Sequence, residues 1–370
     1  MTDITPLPIS GEIKGALEFQ REVNRILQGV KFDSVKPIAP YFLPDTELPI
    51  IIQNFWLRGG GMGDKICMMP ALTWLAKNCP WIWGRIWMSE AMFEFTDNIL
   101  KQAENPNWKV MPLEKYDELV EPDTRVRGRG FEHNGHQNSQ YANGTGGHLV
   151  DLGFIDFTNT FPPPENSTWY PQINWEGRSD VLPTLYKKYV VLTTGAVSPA
   201  RDVPGSYWNP IIENIKSRGL TPVFLGTSGI KDLNGILNVR YSDGCNYAEG
   251  IDLRDKTTVM EAAWIMKNAA AVIGLDNGLI QLASCTDADI ICAYNIVEPR
   301  ERRPRRRSGK WHEIYLSQAE LACSGCQTHM KMIAPPHDFK RCLYGHLRCV
   351  DLIFANNGER FTKRLDQILT

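Results

Sequence analysis

"IIIQNFWLRGGGMGDKICMMPAL", residues Ile50 to Leu72, is the stretch on which the reading of the fold turns. Ile50 to Leu57 is β-rich, Gly59 to Gly61 break it, and an apolar helical run follows, so the segment reads as strand, glycine turn and helix. Glycines at such a turn let a backbone approach a phosphate. The stretch is nevertheless not a GxxxxGK[ST] loop, and it lacks the full GxGxxG fingerprint. It puts a carboxylate, Asp64, where a phosphate binder needs Lys or a bare N–H. Two readings follow: Asp64 caps the helix, or the glycines bring a carboxylate to the edge of a cleft for chemistry. Pro70 lies too deep for a first-turn proline if the helix begins at Gly63, so the helix starts nearer Met68 or is kinked.

Outward from there, the 370 residues exceed the roughly 250–300 at which single cores split, and two domains are expected. With 22% charged residues and a net charge of −2, nothing global draws the chain to nucleic acid or membrane. The opening "MTDITPLPIS" is not a basic-then-apolar leader, and no apolar run reaches the ~20 residues of a membrane span. Nine cysteines, an odd and sparse set, fit a reducing compartment, so a cytoplasmic protein is expected. Cys67, Cys79, Cys245, Cys285 and Cys292 stand in apolar contexts and read as core.

Before the decisive stretch, Gly11 to Gly29 has helical periodicity and a proline-rich connector follows, so residues 1–47 read as an N-terminal extension. After it, residues 121–147 are polar and Gly/Asn-rich, a long loop by composition. "FPPPENSTWYP" (Phe161 to Pro171) is the expected interdomain linker, giving domains over 48–172 and 173–352 and a C-terminal helix over 353–370. The second half alternates clearly. "YVVLTTG", "TPVFLGTSG", "AAVIGLDNG" and "ADIICAYN" read as strands; "SYWNPIIENIKSRG", "TTVMEAAWIMKNA" and "LIQLASC" read as helices. Thr258 with Glu261 forms a capping-box pattern. Such alternation implies a parallel sheet covered on both faces, with ligands outside the strands' carboxyl ends.

Three further loops fall at those ends. "TTGAVSPARDVP" offers Thr194, Ser198 and Arg201 as a phosphate cradle, since Arg matches phosphate oxygens bidentately. "LGTSG", with Gly226 and Thr227, is small enough for a ribose or base. "GLDNGLIQLA" sets Asp276, Asn277 and Gly278 before a helix, which reads equally as an anion site or a plain cap.

In this order the segments resemble glycosyltransferase family 9, the ADP-heptose:lipopolysaccharide heptosyltransferases. The family's Gly-Asp and Pro-Ala-Leu match Gly63-Asp64 and Pro70-Ala71-Leu72. Its Gly-Ala-x-Ser-Pro-Ala-Lys-x-x-Pro loop matches "GAVSPARDVP", its Asp-Leu-Arg-x-Lys-Thr matches "DLRDKT", and its Asp-[Ser/Thr]-Gly-x-x-His-Leu matches "DNGLIQL". The resemblance covers residues 48 to 352. It implies the GT-B fold, two Rossmann-like domains across a cleft, with the acceptor on the first and the nucleotide-sugar on the second. It also implies inverting, metal-independent transfer. Asp64 would be the base, with Gly61, Met62 and Gly63 on the acceptor side. Arg201, Ser198, Thr194, Asp276, Asn277 and Gly278 would hold the diphosphate, Thr257 would border the nucleotide base, and Gly226, Thr227 and Gln281 would complete the donor site. Arg201, Asn277 and Gln281 stand where the family has Lys, Ser or Thr, and His. The donor sugar, heptose or another, therefore stays open, as does a glycan or lipid-linked acceptor. A scaffold that binds without transferring is the competing class.

Two features lie beyond these motifs. "EPRERRPRRRSGK" (Glu298 to Lys310) reads as a solvated charge run, or as a contact for a phosphorylated acceptor or nucleic acid, which keeps a nucleic-acid glycosyltransferase as an alternative. Cys323, Cys326, Cys342 and Cys349 could form a structural zinc site, or be buried thiols.

Overall fold

The computed structural model describes residues 51–57, 61–80, 82–115, 129–130, 148–158, 169–177, 188–195, 201, 203–228, 244–326 and 346–370. All lie in one compact unit, residues 47–370, which holds two parallel sheets. The first sheet contains β1 (Ile51–Trp56), β2 (Ile82–Met88), β3 (Lys109–Pro112) and β4 (Arg129–Gly130) in the order β3-β2-β1-β4. Helices α1 (Met62–Asn78) and α2 (Glu90–Lys101) join its first three strands, and α3 (Leu149–Thr158) follows β4.

The second sheet contains β5 (Tyr189–Thr193), β6 (Thr221–Phe224), β7 (Ile251–Asp252), β8 (Ala271–Leu275), β9 (Ile290–Tyr294) and β10 (Trp311–Tyr315). Its order, β7-β6-β5-β8-β9-β10, is the doubly wound one. Between its strands run α4 (Asn209–Ser217), α5 (Val259–Lys267), α6 (Gly278–Ala283) and α7 (Pro299–Arg302); α8 (Arg348–Ile353) and α9 (Ala355–Leu369) end the chain. In each sheet the strand order reverses beside its first strand, between β1 and β4 and between β5 and β8. Loops diverge there and leave a crevice.

The central strands are apolar because both faces are covered: β5, β8 and β9 are buried at every position. Where β5 pairs β8, Thr193 lies opposite Gly274. A Cβ on Gly274 would fall 1.9 Å from Thr193 Oγ1, so only glycine lets these strands close. Gly219, at φ 72°, ends α4 in the left-handed conformation that glycine adopts without strain. The capping box forms as read: Thr258 N–H donates to Glu261 Oε2 at 2.7 Å, and Glu261 N–H donates to Thr258 Oγ1 at 3.2 Å.

The two sheets meet through side chains from both halves. Glycines on facing helices let the N-terminus of α1 approach that of α6. A Cβ on Gly63 would lie 3.2 Å from Gly278 Cα, and one on Gly278 would lie 3.1 Å from Gly63 N. Residues 169–177 run as a strap between the halves. Asn98 on α2 exchanges two hydrogen bonds with Asn174, Tyr170 N–H donates to Arg305 O, Ile173 N–H donates to Cys285 O, and Trp175 packs on Trp264.

Some expectations change. The helix starts at Met62, not near Met68, and Pro70 stands inside it. An interior proline costs about 3 kcal/mol; α1 offsets this by burying every residue from Lys65 to Leu72. Cys67, Cys79, Cys285 and Cys292 are buried as expected, but Cys245 is only half-buried, because it sits in the loop before Tyr247 rather than on a strand. The helix read over 11–29 and most of the Gly/Asn-rich stretch lie outside the described residues. No helix among the described residues is long and apolar enough to cross a membrane.

Candidate active site

Asp64 occupies the first turn of α1, the helix that follows β1. Its Oδ2 accepts from Gly61 N–H at 2.8 Å, so the capping reading holds. Its Oδ1 makes no hydrogen bond among the described residues and lies 4.0 Å from Arg302 Nη1. The cap thus fixes the carboxylate with one oxygen turned toward the second half of the chain.

Asp276 closes β8 and is 96% buried. Arg201 Nη1 donates to its Oδ2 at 3.2 Å and to its carbonyl at 2.9 Å. Arg302 Nε stands 3.9 Å from the same Oδ2. Two guanidiniums and two carboxylates therefore converge, neutral in sum, where the halves meet. Burial pulls the Arg201 guanidinium below its usual value, with Asp276 opposing. At Arg302 burial works the same way, but Asp276 and Asp64 outweigh it and hold the group above its usual value.

Gln281, on α6, joins this cluster to the core. Tyr170 Oη donates to its Oε1 at 2.6 Å, and its Nε2 donates to Arg302 O at 3.0 Å. Tyr170 Oη also lies 2.9 Å from Cys67 Sγ on α1. Burial pushes the Cys67 thiol up to about 12 and the Tyr170 phenol well above its ordinary value, so both remain neutral.

Asn277 makes the plain cap that was one of the two readings of its loop. Its Oδ1 accepts from Ile280 N–H as the cap of α6, and its Nδ2 donates to Thr193 Oγ1 at 3.2 Å and Gly195 O at 3.0 Å. It ties the loops after β5 and β8 together, so its side chain is occupied within the fold. Thr194 Oγ1 lies 3.0 Å from Tyr247 Oη. Arg254, held by Asp252 at 2.7 Å, stacks 3.3 Å from the centre of the Tyr247 ring. Gly226, at φ 131°, and Thr227 follow β6 beside this group, and Thr257 precedes the cap of α5. Gly61, Met62 and Gly63 line the turn around Asp64. Ser198 lies outside the described residues.

The arginine run is only partly a solvated face: Arg300, Arg303 and Arg307 are exposed, whereas Arg302, Arg305 and Arg306 are half-buried. Arg300 pairs with Glu298, Arg305 forks onto Asp151 of α3 with one bond of 2.6 Å, and Arg306 donates to carbonyls of Ala288 and Lys310. Arg303 lies over Trp311 and Arg307 over Trp169. His148 supports the same segment: its Nδ1 accepts from Val150 N–H, so its Nε2 carries the proton and donates to Arg303 O at 2.7 Å. Burial and the nearby Arg305 lower the His148 pKa to about 4. Arg302 and Tyr170 are the site residues that sequence reasoning missed. Arg302's signal was its place just beyond the carboxyl end of β9.

Cys323 Sγ lies 4.0 Å from His346 Nε2, and Cys326 is in the same turn region. Among the described residues no group of three His, Cys, Asp or Glu comes together as a metal site, and Cys342 lies outside them.

The sequence profile of glycosyltransferase family 9 (heptosyltransferase) matches residues 140–332, more than half of the chain. The chain belongs to glycosyltransferase family 9. This family 9 member is accordingly a glycosyltransferase. Its fold is similar to that of the iron-containing dodecameric glycosyltransferase TibC from enterotoxigenic E. coli H10407, at 17% identity over 86% of this chain and 76% of TibC, with a TM-score of 0.61. The same values hold for the heptosyltransferase TibC in complex with ADP-D-β-D-heptose. E. coli ADP-heptose lps heptosyltransferase II aligns at 13% identity over 76% of this chain and 97% of that one, with a TM-score of 0.52. The shared architecture is GT-B. No curated protein sequence matches the chain.

Proposed function

We propose that this family 9 enzyme transfers heptose, or a closely related sugar, from an ADP-linked donor to a hydroxyl of a glycan or lipopolysaccharide-type acceptor, with inversion and without a catalytic metal. The observation that carries the reading is the cluster of Asp64, Asp276, Arg201 and Arg302 where the two halves meet. Asp64 accepts the acceptor's proton on Oδ1. The acceptor oxygen bonds to the anomeric carbon while that carbon's bond to the diphosphate oxygen breaks, and the electron pair leaves with the diphosphate. Arg201 faces the charge that develops there. A single displacement inverts the centre. Asp276 is no competing nucleophile, because its carboxylate is buried against Arg201. Tyr247, Arg254 and Thr194 lie at the strand ends where a nucleoside is expected. The complex of TibC with ADP-D-β-D-heptose supports the choice of donor.

Arg305 and Arg306 are engaged within the chain, by Asp151 and by the carbonyls of Ala288 and Lys310, which leaves fewer arginines of residues 300–307 to meet a nucleic-acid backbone. We further propose a structural metal held by Cys323, Cys326, Cys342 and Cys349. Thiolates with a nearby imidazole are the donors that zinc or iron takes, and TibC is iron-containing. It would brace the C-terminal segment and take no part in transfer.

The test of the donor is a melting-temperature panel of ADP, UDP, GDP and CDP. At ~100 times its dissociation constant a ligand adds about 2.7 kcal/mol, and ADP alone is expected to give the full shift. Indifference to all four would overturn the reading.

A further inference from the structure

The arginine that closes α7 has a geometry that its structural neighbours do not share. Arg300 and Arg305 each pair with one carboxylate, Arg306 donates to backbone carbonyls although its Nε has no partner among the described residues, and Arg303 and Arg307 are exposed with a tryptophan ring nearby, so none of them faces two carboxylates. Arg302 instead stands 4.0 Å from Asp64 and 3.9 Å from Asp276, within ionic reach of both, and hydrogen-bonds to neither. Its Nε is buried without a hydrogen-bond partner among the described residues, and so is Nε of Arg201 on the other side of Asp276. An unsatisfied buried guanidinium N–H is costly, and a ligand oxygen that accepts from it recovers that cost. Two such groups flanking one carboxylate match a ligand with several acceptor oxygens and more than one negative charge.

The backbone of Arg302 is also held in place. Its carbonyl accepts from Gln281 Nε2, Gln281 is gripped by Tyr170, and Tyr170 touches Cys67 on the helix that carries Asp64. A buried chain of polar groups thus fixes this arginine relative to the base, which a surface arginine would not need.

We propose that Arg302 is a second guanidinium on the leaving diphosphate, acting with Arg201 as a clamp, and that Gln281 positions it. This rests on the transferase reading above and extends it. When the sugar leaves, the electron pair arrives on a diphosphate oxygen that Arg302 Nε–H and Arg201 Nε–H both face. Arg302 also lies beside Asp64, so one cation meets the group that gains a proton and the group that gains charge. Without Arg302, two carboxylates would face Arg201 alone, and an incoming diphosphate would be repelled.

Calorimetric titration of the full chain with ADP, inorganic pyrophosphate and adenosine tests the proposal, comparing the wild type with Arg302→Gln and Arg302→Lys. Arg302→Gln should weaken ADP and pyrophosphate at least tenfold and leave adenosine unchanged. Arg302→Lys, which keeps the charge but not the fork, should recover part of the loss. That split between diphosphate and nucleoside is one that general damage to the fold would not produce. If either variant melts like the wild type and binds ADP and pyrophosphate with wild-type affinity, the clamp is overturned while the transferase reading stands. If the wild type binds neither ADP nor pyrophosphate, the transferase reading falls and the clamp with it.

Discussion

Tyr170→Phe removes one oxygen from the centre of the molecule, and its consequences can be worked out atom by atom. Tyr170 is fully buried, and its hydroxyl joins Gln281 Oε1 at 2.6 Å to Cys67 Sγ at 2.9 Å. Phenylalanine keeps the ring and its packing but leaves Gln281 Oε1 without its donor in a site closed to water. An unmet buried acceptor costs about 1–3 kcal/mol, so the variant should lose about 2 kcal/mol in denaturant unfolding. Gln281→Leu alone should cost a similar amount, because it orphans Arg302 O. The double variant replaces both partners with apolar groups, and its loss should fall short of the two single losses by about 1–2 kcal/mol, as expected for residues in contact. Sequence distance makes the coupling informative: the two residues are 111 positions apart and come from the strap and from α6. Losses that simply add, within about 0.5 kcal/mol, would refute the claim that this hydrogen bond joins the halves. Tyr170→Phe should also weaken ADP binding, since Gln281 holds Arg302.

Gly274→Ala should destabilise the second sheet by about 1–3 kcal/mol or more, because its Cβ would strike Thr193 Oγ1; adding Thr193→Ala should restore part of the loss, measured by the same unfolding. His148 is neutral when folded, with its pKa lowered from 6.5 to about 4, so the unfolded chain binds the extra proton between those values. Its contribution is present above pH 6.5 and is lost as pH falls through about 4, about 3 kcal/mol in all. In His148→Gln that part of the acid slope should vanish, and an unchanged slope would contradict the assignment. Metal analysis of the purified protein should find one zinc or iron per chain, and a strong chelator should lower the melting temperature; a metal-free protein of equal stability would remove that site.

Local chemistry made much of this legible in the sequence. The strand at Ile51–Trp56 and the helix that follows it, the capping box at Thr258 and the alternating strands and helices of the second half all depend on neighbours within a few residues. The loops at the strand ends could be found for the same reason. What could not be read depends on contacts between distant segments. Nothing near Tyr170 announces that it meets Gln281, and nothing near Arg302 shows that it stops between two aspartates. A charge run shows its sign but not its partners: Arg300, Arg303 and Arg307 are exposed, as composition implied, whereas Asp151 and the carbonyl of Ala288, which receive Arg305 and Arg306, come from elsewhere in the fold. Asn277 stands where the family has Ser or Thr, in a loop that read equally as an anion site or a plain cap. Its amide is long enough to reach Thr193 and Gly195, and it became a clamp between loops. Asp64 admitted two readings, and they are compatible: one carboxylate oxygen makes the cap, and the other is turned toward Arg302, where the proposed base would act.

The most direct measurement of the central claim is the comparison of wild type and Asp64→Asn, following both donor binding and sugar transfer. Asparagine is nearly isosteric and can still accept from Gly61 N–H, so the helix start and the donor site should survive. The account predicts that Asp64→Asn binds ADP with wild-type affinity within a factor of about two and that transfer falls by 10²-fold or more. Transfer at the wild-type rate in that variant would contradict the account and leave Asp64 as a helix cap alone.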